Sequence, residues 1–288
     1  MREIVWQIGD ATTPREPQPT DPQKARSRLE KGNVAFTTLF DEGVGSTRRL
    51  VQLAPEELGV SGTGEAPEQR PFAGVLSCAD ARVPVELLLS QRANDLFVVR
   101  VAGGVLSEGT LGSLDFAVAK LPSLQLTLSL GHTGCGAVSA AVDTYLDPPS
   151  YLSMGDSRPM LALVQNLLGA VRLAAHTLEA VHGPDVGQRP GYRAALTDLA
   201  VVANAGLVAS AIAVRIGRYG GPGSQRIQTF YGVYDLVSRK VGLPGSTSEW
   251  MAGLTEAPVE PEPFAHALRE MAFGPRVTTM LDDDRHAP

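Results

Sequence analysis

The chain has 288 residues, 43% hydrophobic and 19% charged, with a formal net charge of −6 and a pI near 5.4. That length accommodates one large domain or two small ones, with a sizeable core. The acidic balance excludes a general nucleic-acid binder, and two cysteines in a chain of this size exclude a secreted disulfide scaffold.

Residues 1–21 carry Pro14, Pro17 and Pro19 among polar side chains and no apolar secretory core, which predicts a disordered arm. Residues 22–56 read as mainly helical, with Pro22 suited to a first turn and Leu29, Val34, Phe36, Leu39 and Phe40 on one face. A Gly- and Pro-rich loop follows at 57–68. Then short apolar runs alternate with helical patterns. Strands are predicted at 72–77, 95–101 and 124–130; helices at 83–89, 110–121 and Gly136–Leu146. Two longer helices follow at 158–182 and 191–217, then a tight loop at 220–223 and a late strand at 227–234, set at a sheet edge. Beyond 245 the periodicity fades, with a short helix near 263–272 and a solvated acidic end at Asp282, Asp283 and Asp284.

The apolar run 199–214 is shorter than the ~20 residues a membrane span needs. It contains Asn204 and Ser210 and reads as a buried core helix. No membrane partner and a cytoplasmic location are therefore expected. The fold class is α/β: a mostly parallel sheet of about four strands plus an added edge strand, flanked by helices. The domain division is 1–21 as an arm, 22–245 as the main domain, which includes the N-terminal helical arm, and 246–288 as a C-terminal extension.

The chemistry gathers in two stretches, Cys78-Ala79-Asp80-Ala81-Arg82 and His132-Thr133-Gly134-Cys135. Each follows the C-terminal end of a predicted strand, where ligands bind in open α/β sheets. Each also holds one of the chain's two cysteines. Two thiolates and an imidazole suit Zn²⁺, and three protein ligands leave a fourth position for chemistry. His132 and Cys135 stand about one helical turn apart, and a helix beginning near Gly134 favours the Cys135 thiolate. Asp80 is placed to accept a hydrogen bond from hydroxide on zinc, or to swing onto the metal as a fourth ligand. Arg82 decides between these by gripping the carboxylate with two hydrogen bonds. A redox pair of Cys78 and Cys135, and a plain structural Asp80–Arg82 ion pair, are the alternatives these residues leave open. The other histidines, His176, His182, His266 and His286, fall in helices or tails, and no histidine shuttle stands near the motifs.

These two motifs resemble the signature of the β-class carbonic anhydrases, C-x-D-x-R followed by H-x-x-C. The likeness extends through 71–73, 95–100, 112–118 and 136–138, resumes at 231–236, and covers about residues 24–245. It implies a zinc enzyme that hydrates CO₂ reversibly to bicarbonate and a proton by zinc-bound hydroxide. It also implies a homodimer or homotetramer with the active site at the dimer interface, and a substrate pocket of Gln69, Phe97, Phe116 and Gly136. Hydrolysis of CS₂ or COS on the same fold, or a weakly active zinc-binding assembly or regulatory protein, are the alternative functions. The chain departs from the family pattern at Ala81, usually Ser, and at Gly104, usually Asn. A subset that closes its site with the aspartate has a Trp where this chain has Val75, which implies an open site here.

Overall fold

A computed structural model describes residues 2–8, 17–40, 47–53, 55, 66–153, 157–219, 227–245 and 249–283. The expected tight loop at 220–223 and most of the expected loop at 57–68 lie outside the described residues.

The chain runs through β1 (Arg2–Ile8), α1 (Pro22–Thr37), β2 (Thr47–Leu53), β3 (Ala73–Ser77), α2 (Val85–Leu88), β4 (Leu96–Arg100) and α3 (Glu108–Lys120). It continues with β5 (Leu126–His132), α4 (Gly136–Leu146), α5 (Ser150–Ser153), α6 (Arg158–His182), α7 (Tyr192–Tyr219) and β6 (Gln228–Tyr234). It ends with β7 (Val241–Pro244), β8 (Trp250–Ala252), β9 (Thr255–Glu256), α8 (Pro261–Phe273) and α9 (Pro275–Leu281).

Four parallel strands in the order β4-β3-β5-β6 form the centre of the main sheet, and β7 and β8 extend it antiparallel, with β9 also pairing with β6. The parallel core was legible in the sequence because β3 and β5 are buried on both faces and read as continuous apolar runs. The two faces still differ. Leu126, Leu128 and Leu130 pack with Ala25 and Leu29 of α1 and Val85 and Leu88 of α2. Thr127 lies on the opposite face, where its hydroxyl pairs with that of Thr229 at 2.8 Å. On that side α7 closes on the sheet, and a Cβ on Gly131 would meet Val201 at 3.3 Å. Each Leu of β5 withdrawn from water contributes roughly 1.5–3 kcal/mol.

Three expectations need correction. The arm at 1–21 holds a strand, β1, paired in parallel with β2, so the later part of 22–56 is strand rather than helix. Polar strand residues such as Arg2, Glu3, Arg48 and Arg49 hide a two-stranded ribbon from a periodicity reading. The strand at 227–234 is not an edge: β6 lies between β5 and the antiparallel β7 and β9. The third concerns the C-terminal extension: the helix expected near 263–272 is present as α8, but strands β8 and β9 and a second helix, α9, accompany it, and α8 and α9 pack on α6 and α7. Helices α6 and α7 are long and apolar enough to cross a membrane by length and composition, but the apolar window of α7 is 67% buried within the fold.

Helix α1 is fixed by charge as well as by packing. Arg28 donates to Asp95 at 2.7 Å, and its guanidinium lies 4.7 Å over the Phe72 ring. The two side chains are 9% and 0% exposed. Removing one partner of a buried pair strands the other charge. Arg28→Ala is therefore expected to cost about 3–5 kcal/mol, read as a lower urea midpoint with an unchanged slope.

Candidate metal centre

The register of β3 and β5 builds the centre. Ser77 pairs with Leu130, so Cys78 leaves the sheet beside Gly131 and His132. Cys135 then caps the N-terminus of α4, whose dipole favours a thiolate there. The ligand atoms of Cys78, His132 and Cys135 all lie within 4.8 Å of one another, and all three residues are buried.

The donor set fits one tetrahedral metal ion. The two sulfurs are 3.9 Å apart; sulfurs each ~2.3 Å from a common tetrahedral centre lie roughly 3.8 Å apart. That separation is nearly twice a disulfide bond length, and both cysteines are free. His132 Nδ1 lies 3.0 Å from the Thr133 carbonyl oxygen, which fixes the tautomer with the proton on Nδ1. Nε2 is left buried with no hydrogen-bond partner among the described residues, as a ligand nitrogen without its metal would be.

The backbone also shapes the thiolates. Cys78 Sγ accepts from the N–H of Gly103 at 3.3 Å and of Asp80 at 3.4 Å. The Cys135 thiol donating to it, together with these N–H groups, draws the Cys78 thiol far below its ordinary pKa, while the same pairing pushes Cys135 up. Gly103 and Gly104 take φ of 72° and 61°, which glycine adopts without strain. From α7, the Asn204 side chain donates to the Gly103 carbonyl at 2.8 Å. Asn204 was visible in the sequence only as a polar residue in an apolar run; its role as a brace on the Gly103 turn needed the fold.

Asp80 sits beside the cluster without joining it. Its Oδ2 is 3.8 Å from His132 Nε2. Arg82 grips it with Nε to Oδ1 at 3.0 Å and Nη2 to Oδ2 at 2.7 Å, and its backbone N–H adds a third bond at 2.9 Å. The Arg82 hydrogen bonds hold the Asp80 carboxyl well below the usual carboxylate range. Arg82 also reaches the Gly134 carbonyl at 3.2 Å, tying the two motifs together. Arg100 of β4, unassigned in the sequence reading, donates to the carbonyls of Cys78 at 3.0 Å and Asp80 at 2.5 Å.

The expected pocket residues divide. Gly136 is exposed at the start of α4, and a Cβ there would meet nothing within 4 Å, so the space next to Cys135 is open. Gln69 and Phe97 instead line a separate cavity of about 390 Å³ with Pro71, Asn94 and Val98. Phe116 stacks on Phe97, ring centroids 6.4 Å apart, and is 51% exposed. Among the described residues, the lining of this cavity includes none of Cys78, His132 and Cys135. The short sequence distance between Gln69 and Cys78 conceals the length of β3, which carries the chain from one end of the sheet to the other.

Residues 73–210 match the family model described as carbonic anhydrase. That segment, just under half of the chain, is similar to the carbonic anhydrases. The β-class likeness carried by the two motifs is the one the match bears out. Carbonic anhydrase 2 of Mycobacterium tuberculosis is 37% identical over 123 residues, 43% of this chain and 54% of that protein. The carbonic anhydrase of Mycolicibacterium smegmatis is 47% identical over 74 residues, 26% of this chain and 35% of that protein. The chain thus spans about half the length of the first of these curated relatives and about a third of the second. Among solved structures, the Coccomyxa β-carbonic anhydrase in complex with acetazolamide superposes at a TM-score of 0.48 with 17% identity, over 74% of this chain and 88% of that one.

The carbonic anhydrase motifs thus converge on a metal-ready site whose bracing reaches into α7. Cys78→Ser and His132→Ala are each expected to leave far less than one metal ion per chain by elemental analysis. Asn204→Ala, which frees the Gly103 turn, should keep the stoichiometry but weaken affinity about 10-fold in a chelator competition.

Proposed function

We propose that this protein is a β-type carbonic anhydrase. It would interconvert CO₂ and bicarbonate at a Zn²⁺ held by Cys78, His132 and Cys135. The observation that carries the reading is the Arg82-clamped Asp80, placed 3.8 Å from the orphaned Nε2 of a buried Cys/His/Cys cluster. The family of the domain and the names of its relatives support the same reading. Two thiolates and a neutral imidazole balance the charge of Zn²⁺, and their softness suits it. When bound, the ion supplies a Lewis acid that brings the pKa of a coordinated water toward neutrality.

The chain's own residues supply orientation. Ionised Asp80 only accepts hydrogen bonds, so it would take one from the attacking water and aim a lone pair at the carbon of CO₂. Arg82 keeps Asp80 charged and turned away from the metal, which favours the open form of the site. The uncrowded space beside Gly136 leaves room for a small linear substrate. Gln69 and Phe97, remote from the ligands of their own chain, fit a role in a neighbouring subunit's pocket, and hence a homodimer or homotetramer. A reducing compartment such as the cytoplasm suits two free thiols.

Stopped-flow CO₂ hydration from pH 6.5 to 9 tests the proposal. Activity of the zinc-loaded protein is expected to rise with pH and vanish in Cys78→Ser. Asp80→Asn should retain zinc yet lose about 10²-fold or more in kcat, since it keeps the shape and loses the acceptor charge. One zinc per chain with no hydration at any pH would overturn the assignment.

A further inference from the structure

The helix α9 lies outside residues 73–210, yet one of its side chains is linked to a metal ligand by a short chain of polar contacts. Arg276 forms a bidentate pair with Asp198 of α7, Nε to Oδ2 at 2.8 Å and Nη2 to Oδ1 at 2.9 Å. Its guanidinium lies 4.9 Å over the ring of Trp250 on β8, and Nη2 is 3.7 Å from Asp235 Oδ1. Both carboxylates are buried, Asp198 at 8% exposure and Asp235 at 2%. One guanidinium therefore stands between two buried acids.

Asp235 passes the constraint on. Its Oδ1 accepts the Thr133 hydroxyl at 3.2 Å, and its Oδ2 accepts the Ser238 N–H at 2.8 Å. The Thr133 hydroxyl in turn accepts the Leu236 N–H at 3.0 Å, and the Thr133 N–H donates to the Tyr234 carbonyl at 3.0 Å. With its N–H and hydroxyl fixed, Thr133 presents its carbonyl to His132 Nδ1 at 3.0 Å. That contact sets the tautomer and ring angle with which Nε2 faces the cluster.

We propose that Arg276 is a positioning residue for the metal centre, acting on the His132 imidazole through Asp235 and Thr133. The inference rests on the reading of Cys78, His132 and Cys135 as metal ligands. Without Arg276, the buried Asp235 charge keeps only neutral donors and is drawn toward solvent, and the Thr133 loop loses its anchor. Partners of a ligating histidine typically change metal affinity 10–100-fold. The C-terminal extension would thus tune the metal site of the domain with which its strands pair and on which its helices pack.

The test is zinc affinity of the full chain by chelator competition, with the absorption spectrum of the Co²⁺-loaded protein as a reading of ligand geometry. Arg276→Gln and Thr133→Val are each expected to weaken zinc binding about 10-fold or more and to shift the cobalt bands. Because the contacts act in series, the double variant should be little worse than the weaker single. Arg276→Lys, which keeps the charge, should recover part of the affinity. Arg193→Gln, which breaks the exposed Arg193–Asp143 pair, should leave affinity and spectrum unchanged. Wild-type zinc affinity and cobalt bands in folded Arg276→Gln would overturn the proposal and leave Arg276 a structural strap. If that variant does not fold, wild-type values in both Arg276→Lys and Thr133→Val overturn it. A wild-type protein that binds neither metal would overturn the metal-site reading itself, a result separable from the others.

Discussion

Everything at the centre depends on the parallel pairing of β3 with β5. Ser77 opposite Leu130 places Cys78 beside His132, although the two are more than fifty residues apart in sequence. A slip of one residue would turn the Leu126, Leu128 and Leu130 face away from α1 and α2, so hydrophobic burial enforces the register. The same burial that stabilises the sheet thus sets the geometry of the donors. No ligand needs to find another by chance, because the strand ends deliver them.

Around this frame, each donor is fixed by a second contact from a different element. Cys78 takes N–H groups from the Gly103 turn and from Asp80, and Asn204 of α7 braces that turn. Cys135 sits at the start of α4. His132 is held by the Thr133 carbonyl, and Thr133 by residues just after β6. Arg82 and Arg100 bridge the first motif to the second motif and to β4. A buried site with three donors from two loops needs such bracing, since thiolates and an imidazole otherwise lose their aim through rotamer freedom.

The main sheet also extends beyond its parallel core. Strands β7 and β8 widen it, and α8 and α9 pack on α6 and α7. Arg276 then lies between Asp198 and Asp235 with Trp250 beneath it, joining the extension, α7 and the segment after β6 at one charged node. Asp198 and Asp235 need that node because both are largely withdrawn from solvent.

The sequence by itself singled out Cys78, His132 and Cys135, which the fold brings together, along with the Asp80–Arg82 pair and the parallel strands. These are local: residue types at fixed spacing, and apolar runs whose length and flanks mark buried strands. Only the tertiary structure decided where Gln69 and Phe97 stand relative to the ligands, that β6 is interior, and that 1–21 contains a strand. It alone connected Asn204 and Arg276 to the site. Such facts depend on which distant segments share a face, and a lone Asn in an apolar helix or a lone Arg in an extension gives no periodic signal of its partner. Side-chain chemistry is written residue by residue, whereas adjacency across the sheet emerges only when burial of the whole core selects one register.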